Sequence, residues 1–477
     1  MRACIQVIQP KLVGALISSL LVGCSLAPAY QRPPAPVPPE MWTDGTQGQA
    51  SSDTATRLEW QSFVEDQSLR HLIDLALANN RDLRQTLLNV EAARAQYRIL
   101  RADRLPHVSL DATTTRQRVG EFSAVESSYQ AGIGLTTFEL DLFGRVRNLS
   151  EASLEEYLAA ERAGHSTEIS LVAEVIQAFL TRDGAQQRYA IATQALEARE
   201  TSLTLLAQLR ARGFINELDH QEAIGLRDQV KADRERIDRE FRQSSNALSL
   251  LVGVSNVSEI LPKMYSDRLL LAQEIAPGTP STLLMRRPDI RSAEHQLKAR
   301  NANIGAARAA FFPRISLTGS LGSSSPELSG LFGSGTRTWS FTPQIILPIF
   351  SGGANRVNLD LAHVRKDIAV AAYEYSIQVA FREVSDALAA TDTLRREEIA
   401  RAEVAVASGN AMLLSEARYR AGLDDHLRFL DAQRTDYSNQ IALIEIHTQR
   451  QIALSALFRA LGGGWRGELS GDVVSVR

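Results

Sequence analysis

The stretch Pro313-Arg-Ile-Ser-Leu-Thr-Gly-Ser-Leu321 decides the fold, because a proline stop leads directly into regular alternation of apolar and polar residues. Such alternation is typical of a β-strand with one apolar and one polar face. A second alternating stretch runs from Trp339 to Leu347 after a polar loop. The two stretches predict a pair of strands within about residues 314–349.

A matching pair lies 207 residues earlier, where Pro106 corresponds to Pro313 and Phe143 to Phe350. Its alternating segments begin near Val108 and Tyr129, so we expect these strands within about residues 107–142. Further correspondences extend the repeat, with offsets between 207 and 210: Asp82 with Asp289, Gly213 with Gly422, and Gly253 with Gly463. A nearly constant offset indicates an internal duplication.

Apolar residues that alternate with polar ones, with aromatic residues near the strand ends, are typical of lipid-facing barrel strands. Pro343 fits such a strand poorly. Soluble hairpins with one buried face would show the same alternation, so the strands alone leave both interpretations open.

Two proline-free segments, residues 107–261 and 349–477, carry apolar residues at helical spacing, as in Ile169, Val172 and Ile176. We expect long helices within about 150–252 and 353–462, where single helices would reach roughly 90 to 100 Å. Gly164 and Gly184 weaken the expectation that the first is continuous.

The N-terminus has the features of a bacterial lipoprotein signal peptide. Arg2 and Lys11 precede the apolar stretch from Leu12 to Val22, which is too short to span a bilayer as a helix. Leu21-Val22-Gly23-Cys24 is similar to a lipobox, which predicts lipidation of Cys24 and removal of residues 1–23. Ser25, in place of Asp, favours sorting to the outer membrane. The alternative is an incidental Cys after an apolar run.

Composition excludes several classes of function. A net charge of -3 offers no basic surface for nucleic acid. The other cysteine, Cys4, lies in the segment expected to be removed, and the eight histidines form no metal-binding or catalytic motif. We therefore expect no catalytic residues, no metal and no cofactor beyond the covalent lipid.

Four strands in one chain cannot close a barrel, and an open edge in lipid leaves backbone groups unsatisfied. Two chains would give an eight-stranded barrel filled by side chains, whereas three would give a twelve-stranded barrel with room for an aqueous lumen. A polar inner face favours three.

The chain resembles an outer-membrane factor of the TolC/OprM type, in the lipoprotein branch that works with resistance-nodulation-division pumps. The segments that carry the resemblance span almost the whole mature chain: Glu139-Leu-Asp-Leu-Phe-Gly-Arg145, Arg287-Pro-Asp-Ile290, Ile304-Gly-Ala-Ala-Arg-Ala-Ala-Phe-Phe-Pro313, Leu347-Pro-Ile-Phe350, Ala380-Phe-Arg-Glu-Val384, Leu430-Asp-Ala-Gln-Arg434 and Ala460-Leu-Gly-Gly463.

The resemblance implies a mainly α fold with a membrane β-barrel, in which each duplicated repeat supplies two strands and long coiled-coil helices. Three copies would form a tunnel of twelve strands and twelve helices. A belt of shorter helices would draw on Leu69–Ala78, Gln186–Glu200 and the C-terminal end. The implied partners are two further copies of the chain, a periplasmic adaptor (membrane fusion) protein, an inner-membrane resistance-nodulation-division pump and outer-membrane lipid. The implied location is the outer membrane of a Gram-negative bacterium, with extension into the periplasm.

These expectations divide the chain into five parts. They are a signal peptide (1–23), a lipidated proline-rich tether (24–60), a first repeat (61–262), a second repeat (263–465) and a C-terminal tail (466–477).

The resemblance also implies a closed periplasmic gate made of an aspartate ring with polar neighbours. The motifs place it at Asp431, Leu427, Arg418, Tyr419 and Asp219, with Arg418 neutralising the ring. Asp431 could instead form an ordinary i,i+3 ion pair with Arg434. The first repeat has Leu209-Arg210 where the second has Arg418-Tyr419, so an aromatic partner is missing there.

The turns at Gly213 and Gly422 are expected to reverse the chain, because a left-handed residue at a helix end favours glycine. Adaptor docking at these turns rests on the resemblance. His426 could add a protonation-sensitive charge, although we expect its side chain to be exposed without such a role.

The function implied is a passive exit duct for small molecules, such as drugs and toxic solutes, in a tripartite efflux pump. Two alternatives remain at this point. One is a type I protein-secretion duct, and the other is a non-channel periplasmic coiled-coil lipoprotein.

Overall fold

The computed structural model describes residues 25–37, 59–118, 124–261, 270–272 and 286–463. The chain divides into two compact units. The first contains Met1–Ala35, Leu88–Arg162 and Arg291–Ser376, and the second contains Pro36–Leu87, Ala163–Ile290 and Ile377–Arg477. Cys24 lies outside the described residues, as do the signal peptide and the C-terminal tail.

The first unit holds one antiparallel sheet of four strands in sequence order, to which each repeat contributes a pair. The strands are β1 His107–Gln117, β2 Glu126–Leu140, β3 Arg314–Ser325 and β4 Arg337–Ile346. The two repeats meet at the pairing of β2 with β3, where Gly132 lies opposite Gly322. A Cβ atom on Gly132 would come within 2.7 Å of the Gly322 Cα, so the close approach of these strands requires glycine.

The outer strands β1 and β4 expose the apolar side chains that the alternation singled out. Leu110 is 80% exposed and Trp339 77%, and Val108, Phe341 and Ile345 are also exposed. No described element of the chain covers this apolar face, as a soluble hairpin would require. The outer edges of β1 and β4 pair with no other strand among the described residues.

Helices make up most of the rest of the described chain, and each repeat carries one long helix followed by a shorter returning helix. Their bounds are α1 Trp60–Phe63, α2 Gln67–Asn79, α3 Arg81–Ala102, α4 Arg145–Ala211, α5 Glu217–Val252, α6 Pro288–Ala309, α7 Ala354–Arg420 and α8 His426–Ala460. Short 3-10 turns occur at Val257–Glu259 and Leu328–Gly330. Of the described helices, none has the length and apolar character needed to cross a membrane.

The continuity of α4 corrects one expectation. Residues 186–200 were expected to form a separate belt helix, but they lie inside a helix of 67 residues. Gly184 does not interrupt it. An added Cβ at Gly184 would lie 2.4 Å from Thr448 Oγ1 on α8, so this glycine allows close packing of two helices.

The core of the second unit forms where α2 packs against α4, α5 and α8. Phe63 stacks on Phe458 with ring centroids 4.5 Å apart. The surrounding buried side chains include Leu69, Leu72 and Ile73 of α2, Ile176 and Phe179 of α4, and Leu248 of α5. Residues 69–78, expected in the belt, therefore lie in a short helix with a buried face.

Candidate functional site

The turns around Gly213 and Gly422, which we call the tip, end α4 and α7 in the same way. Gly213 and Gly422 have φ angles of 77° and 69°, in the left-handed region expected from the sequence. The amide of the residue after each glycine donates to the carbonyl five residues earlier: Phe214 to Leu209 and Leu423 to Arg418. This is the Schellman arrangement, which satisfies carbonyls at a helix end.

The helices that leave the tip begin with equivalent caps. The Asn216 side chain accepts a hydrogen bond from the Asp219 amide at 2.8 Å, and the Asp425 side chain accepts one from the Arg428 amide at 3.1 Å. The duplicated repeats therefore reverse the chain with the same backbone hydrogen bonds and the same kind of cap.

Arg418 forms a two-pronged ion pair with Asp424 across the second turn. Its Nε and Nη2 donate to the two carboxylate oxygens at 2.7 and 2.9 Å. This hydrogen bonding lowers the pKa of Asp424 and raises that of Arg418. Within one chain, Asp424 of the same turn therefore holds the Arg418 guanidinium. Neutralisation of the Asp431 ring by Arg418 stays a prediction.

Asp431 pairs with Arg434 on the same face of α8, which is the ordinary i,i+3 arrangement. Both side chains are more than half exposed, and Leu427 one turn earlier is also exposed. The geometry within one chain leaves Asp431 free to face other copies of the chain. Its role in a ring stays a prediction.

His426 is buried, contrary to the expectation of an exposed side chain. Only 7% of it is accessible, and its ring lies 4.9 Å from the Tyr419 ring, with Phe429 beside both. Burial lowers the pKa of His426, while the carboxylates of Asp219 and Asp425 oppose that shift. Burial and then Asp219 raise the pKa of Tyr419. The structure therefore brings Tyr419 and Asp219 together around a residue that the sequence had set aside.

The first turn replaces the ion pair of the second with a different one. Arg210 stands where the second repeat has Tyr419, and its Nε lies 2.8 Å from Glu217 Oε2. Its Nη1 also lies 3.0 Å from His220 Nδ1. The first turn thus has an ion pair of its own where the aromatic partner is missing.

The charged side chains of the tip form ion pairs and hydrogen bonds with one another. The part of the chain that the structure describes contains no group of three or more side chains suited to hold a metal ion. Ion pairs that close within one turn can break and reform without unfolding the helices.

Asp424 is the residue of this site that sequence reasoning missed. Its signal was position, since it lies two residues after Gly422 and six after Arg418. A chain reversed by a left-handed glycine brings such flanking side chains together.

The described part of the proline-rich segment is seated on helix α6. Arg32 donates to the Glu294 carboxylate at 3.0 and 2.8 Å, and Asn301 Nδ2 donates to the Pro28 carbonyl at 2.7 Å. Ser25 Oγ donates to Asn148 Oδ1 at 2.9 Å. An added Cβ at Gly305 would lie 2.7 Å from the Ala27 nitrogen, which explains the glycine in the Ile304-Gly-Ala-Ala motif.

Comparison with known proteins agrees with this architecture. The profile of the family "Outer membrane efflux protein" matches residues 72–254 and 279–463. The outer membrane protein OprJ of Pseudomonas aeruginosa is 56% identical over 460 residues, which cover 95% of this chain and 96% of OprJ. The antibiotic efflux pump outer membrane protein ArpC of Pseudomonas putida is 43% identical over 461 residues, which cover 94% of this chain and 95% of ArpC.

A solved structure also matches this chain over most of its length. A crystal structure of a membrane protein from Pseudomonas aeruginosa, 56% identical, matches with a TM-score of 0.88 over 95% of this chain and 100% of that one.

The sheet and the paired long helices are those of a TolC-like outer-membrane channel, which confirms the predicted fold class. The chain belongs to the outer membrane efflux protein family. It is the outer-membrane channel component of an efflux pump, and the alternative of a non-channel coiled-coil lipoprotein is wrong.

Proposed function

We propose that three copies of this chain close into a passive duct through which a tripartite pump expels small molecules. The observation that carries the proposal is the four-stranded sheet with unpaired outer edges on β1 and β4 and an exposed apolar face. Backbone groups at such edges cost several kcal/mol each in lipid, so the edges of neighbouring copies must pair. Three sheets of four strands give a twelve-stranded barrel.

The proposed cargo is small molecules, including antibiotics, and the duct has no catalytic chemistry of its own. Support comes from ArpC, whose name describes an antibiotic efflux pump component. The proposed partners are a periplasmic adaptor and an inner-membrane resistance-nodulation-division pump, which would supply the energy and the selection of cargo.

Planar-bilayer conductance of the detergent-purified chain, with its mass determined alongside, tests this proposal. A trimer with a small, cation-biased conductance is expected from a duct closed by carboxylates. A monomer that never inserts would contradict both the barrel and the trimer.

The proposed gate is a ring of three Asp431 carboxylates, one from each copy. Asp431→Ala should raise the conductance, because the ring loses the charge that holds cations at the constriction. Asp392→Ala is the matched control, since Asp392 on α7 is also exposed and pairs with Arg395 at i,i+3. Equal conductance in the two variants would remove the gate assignment.

Adaptor docking is proposed at the tip. Phe214 and Leu218 of the first turn and Leu423 of the second are more than half exposed, so the tip presents apolar side chains to a partner. Phe214→Ser and Leu423→Ser should together weaken crosslinking to the adaptor in cells without changing the conductance of the purified trimer. Unchanged crosslinking would place the docking surface elsewhere.

Lipidation of Cys24 is proposed from the lipobox, with Ser25 as the sorting residue. The contacts of Ser25 with Asn148 and of Pro28 with Asn301 would then hold the tether close to the lipid, because Ser25 follows Cys24 directly. Cys24→Ser should abolish labelling by an alkyne analogue of palmitate, whereas Ser25→Thr should retain it. Labelling of Cys24→Ser would disprove this site.

A further inference from the structure

A cavity of about 200 Å³ in the second unit is lined by residues of α4, α7 and α8. It lies away from the tip along α4, since its first lining residue, Ile191, precedes Gly213 by several helical turns. Its walls combine apolar side chains, such as Ile191 and Met412, with the ring of Tyr437. None of the gate residues discussed above lines it.

Arg199 on α4 is a positively charged side chain that lines the cavity. Its side chain is 6% exposed, and its Nη1 donates to the Leu226 carbonyl of α5. Its Cζ lies 5.7 Å from the centre of the Tyr437 ring. Among the described residues, Nη2 has no hydrogen-bond partner and no carboxylate lies in ion-pair contact with the guanidinium.

Such a residue is unusual because a buried charge is costly without a counter-charge. Burial lowers the pKa of Arg199, and Tyr437 and then Asp233 only partly oppose this shift. Arginine nonetheless stays protonated in proteins. The guanidinium therefore presents an unused donor and an uncompensated positive charge to the cavity.

Gln433 and Asp436 on α8 supply acceptors in the same cavity. Gln433 Oε1 is buried without a hydrogen-bond partner in the described part of the chain. The buried Asp436 carboxylate accepts from Gln440 Nε2 at 2.7 Å and from Ser408 Oγ at 3.4 Å, so neutral donors hold it. The cavity thus has a free donor on one helix and a free acceptor on another, with an apolar and aromatic wall.

We infer that this cavity binds a small zwitterion whose carboxylate pairs with Arg199 and whose ammonium group donates to Gln433 beside Asp436. A carboxylate supplies both the missing counter-charge and the acceptor for Nη2, and charge-assisted hydrogen bonds are the stronger kind. A flat apolar spacer between the two groups fits against Tyr437 and Ile191. The site joins α4 to α8, and the inference does not depend on how the duct is gated.

Isothermal titration calorimetry of the detergent-purified full chain with 4-(aminomethyl)benzoate tests the inference. The wild-type protein should bind this probe, and Arg199→Gln should weaken binding by about 10- to 100-fold, because a charged hydrogen-bonding partner is lost. Gln433→Leu should weaken binding of the zwitterion but leave the affinity for 4-methylbenzoate unchanged. Arg227→Gln is the matched control, since Arg227 pairs with Asp228 at the surface of α5.

Mass and conductance of each variant show whether it still forms the channel, so that misfolding is not taken for lost binding. Three results would overturn the inference: no heat from the wild-type protein, equal affinity in wild type and Arg199→Gln, or equally tight binding of 4-methylbenzylamine, which lacks the carboxylate. The proposed duct would survive any of these, because its test is conductance without the probe.

Discussion

At the scale of single residues, the tip depends on contacts whose strength changes with protonation. The neutral form of His426 is favoured in the folded protein, because burial among Tyr419 and Phe429 lowers its pKa from the usual 6.5. Two carboxylates face His426: Asp219 on α5 and Asp425 at the N-cap of α8. They oppose the shift of its pKa without cancelling it.

The sign of the pH effect follows from this lowered pKa. Well above pH 6.5, His426 is neutral in both the folded and the unfolded state, so its burial carries no protonation cost. Below that pH the unfolded state binds a proton that the folded state resists, so the stability of the tip falls. We expect the conductance of wild-type channels to rise as the pH falls from about 7.5 to about 5.5.

His426→Phe should remove most of this rise, because it keeps an aromatic ring and cannot be protonated. Bilayer recordings over the same pH range measure the difference. His220→Phe is the control, since His220 lies in the other turn, is only partly buried and contacts Arg210 instead of an aromatic cluster. An identical rise in His426→Phe and wild type would assign the acid response to carboxylates.

Left-handed glycines give a second prediction at this scale. Gly422→Ala forces an L-residue to a φ of 69° and should destabilise the tip by about 1 to 2 kcal/mol. Gly225→Ala, inside α5 with open space around the added methyl, should stabilise the protein by up to about 1 kcal/mol. Denaturant midpoints in detergent that move in the same direction for both would contradict this account.

At the scale of elements, helix packing can be tested at Gly184. Gly184→Ala places a methyl against Thr448 and should cost about 1 to 3 kcal/mol through overpacking. Thr448→Ala opens the space, so the double variant should recover part of that loss. Additive losses, measured as unfolding midpoints of all three variants, would show that α4 and α8 do not meet there.

Periodicity and duplication predicted the elements well because both depend on local sequence. The alternation near Leu317 and Phe341 identified strands, and the constant offset identified which elements correspond. The features that the sequence did not predict depend on tertiary contacts. His426 is buried by rings from two helices, and Arg418 finds Asp424 only because the turn reverses the chain.

The dependence on tertiary contacts also explains why the belt helix was predicted wrongly. The segment Gln186–Glu200 has no local feature that distinguishes a helix within a longer helix from a separate one. Gly184 suggested an interruption of the helix. The structure instead explains this glycine by the close approach of Thr448, which lies more than 250 residues away in the sequence.

At the scale of the whole molecule, the exposed face of the sheet should face lipid. Phe341→Arg should reduce the amount of trimer recovered from the outer membrane, since an arginine facing lipid near mid-depth costs about 2 to 4 kcal/mol. Thr342→Arg, on the opposite face of β4, should be tolerated because that face would line the lumen. Equal recovery of the two variants would show that the apolar face of β4 does not face lipid.

The unpaired edges of β1 and β4 also have a genetic consequence. In the proposed trimer each chain supplies one third of the closed wall. Normal neighbours cannot compensate for a defective chain there, because a gap on either side opens the whole ring. If a strand-defective copy is expressed equally with the normal one and mixes freely, roughly one assembly in eight contains normal chains alone. Loss-of-function alleles that alter the strands should therefore be dominant, whereas alleles that prevent synthesis of the chain should be recessive.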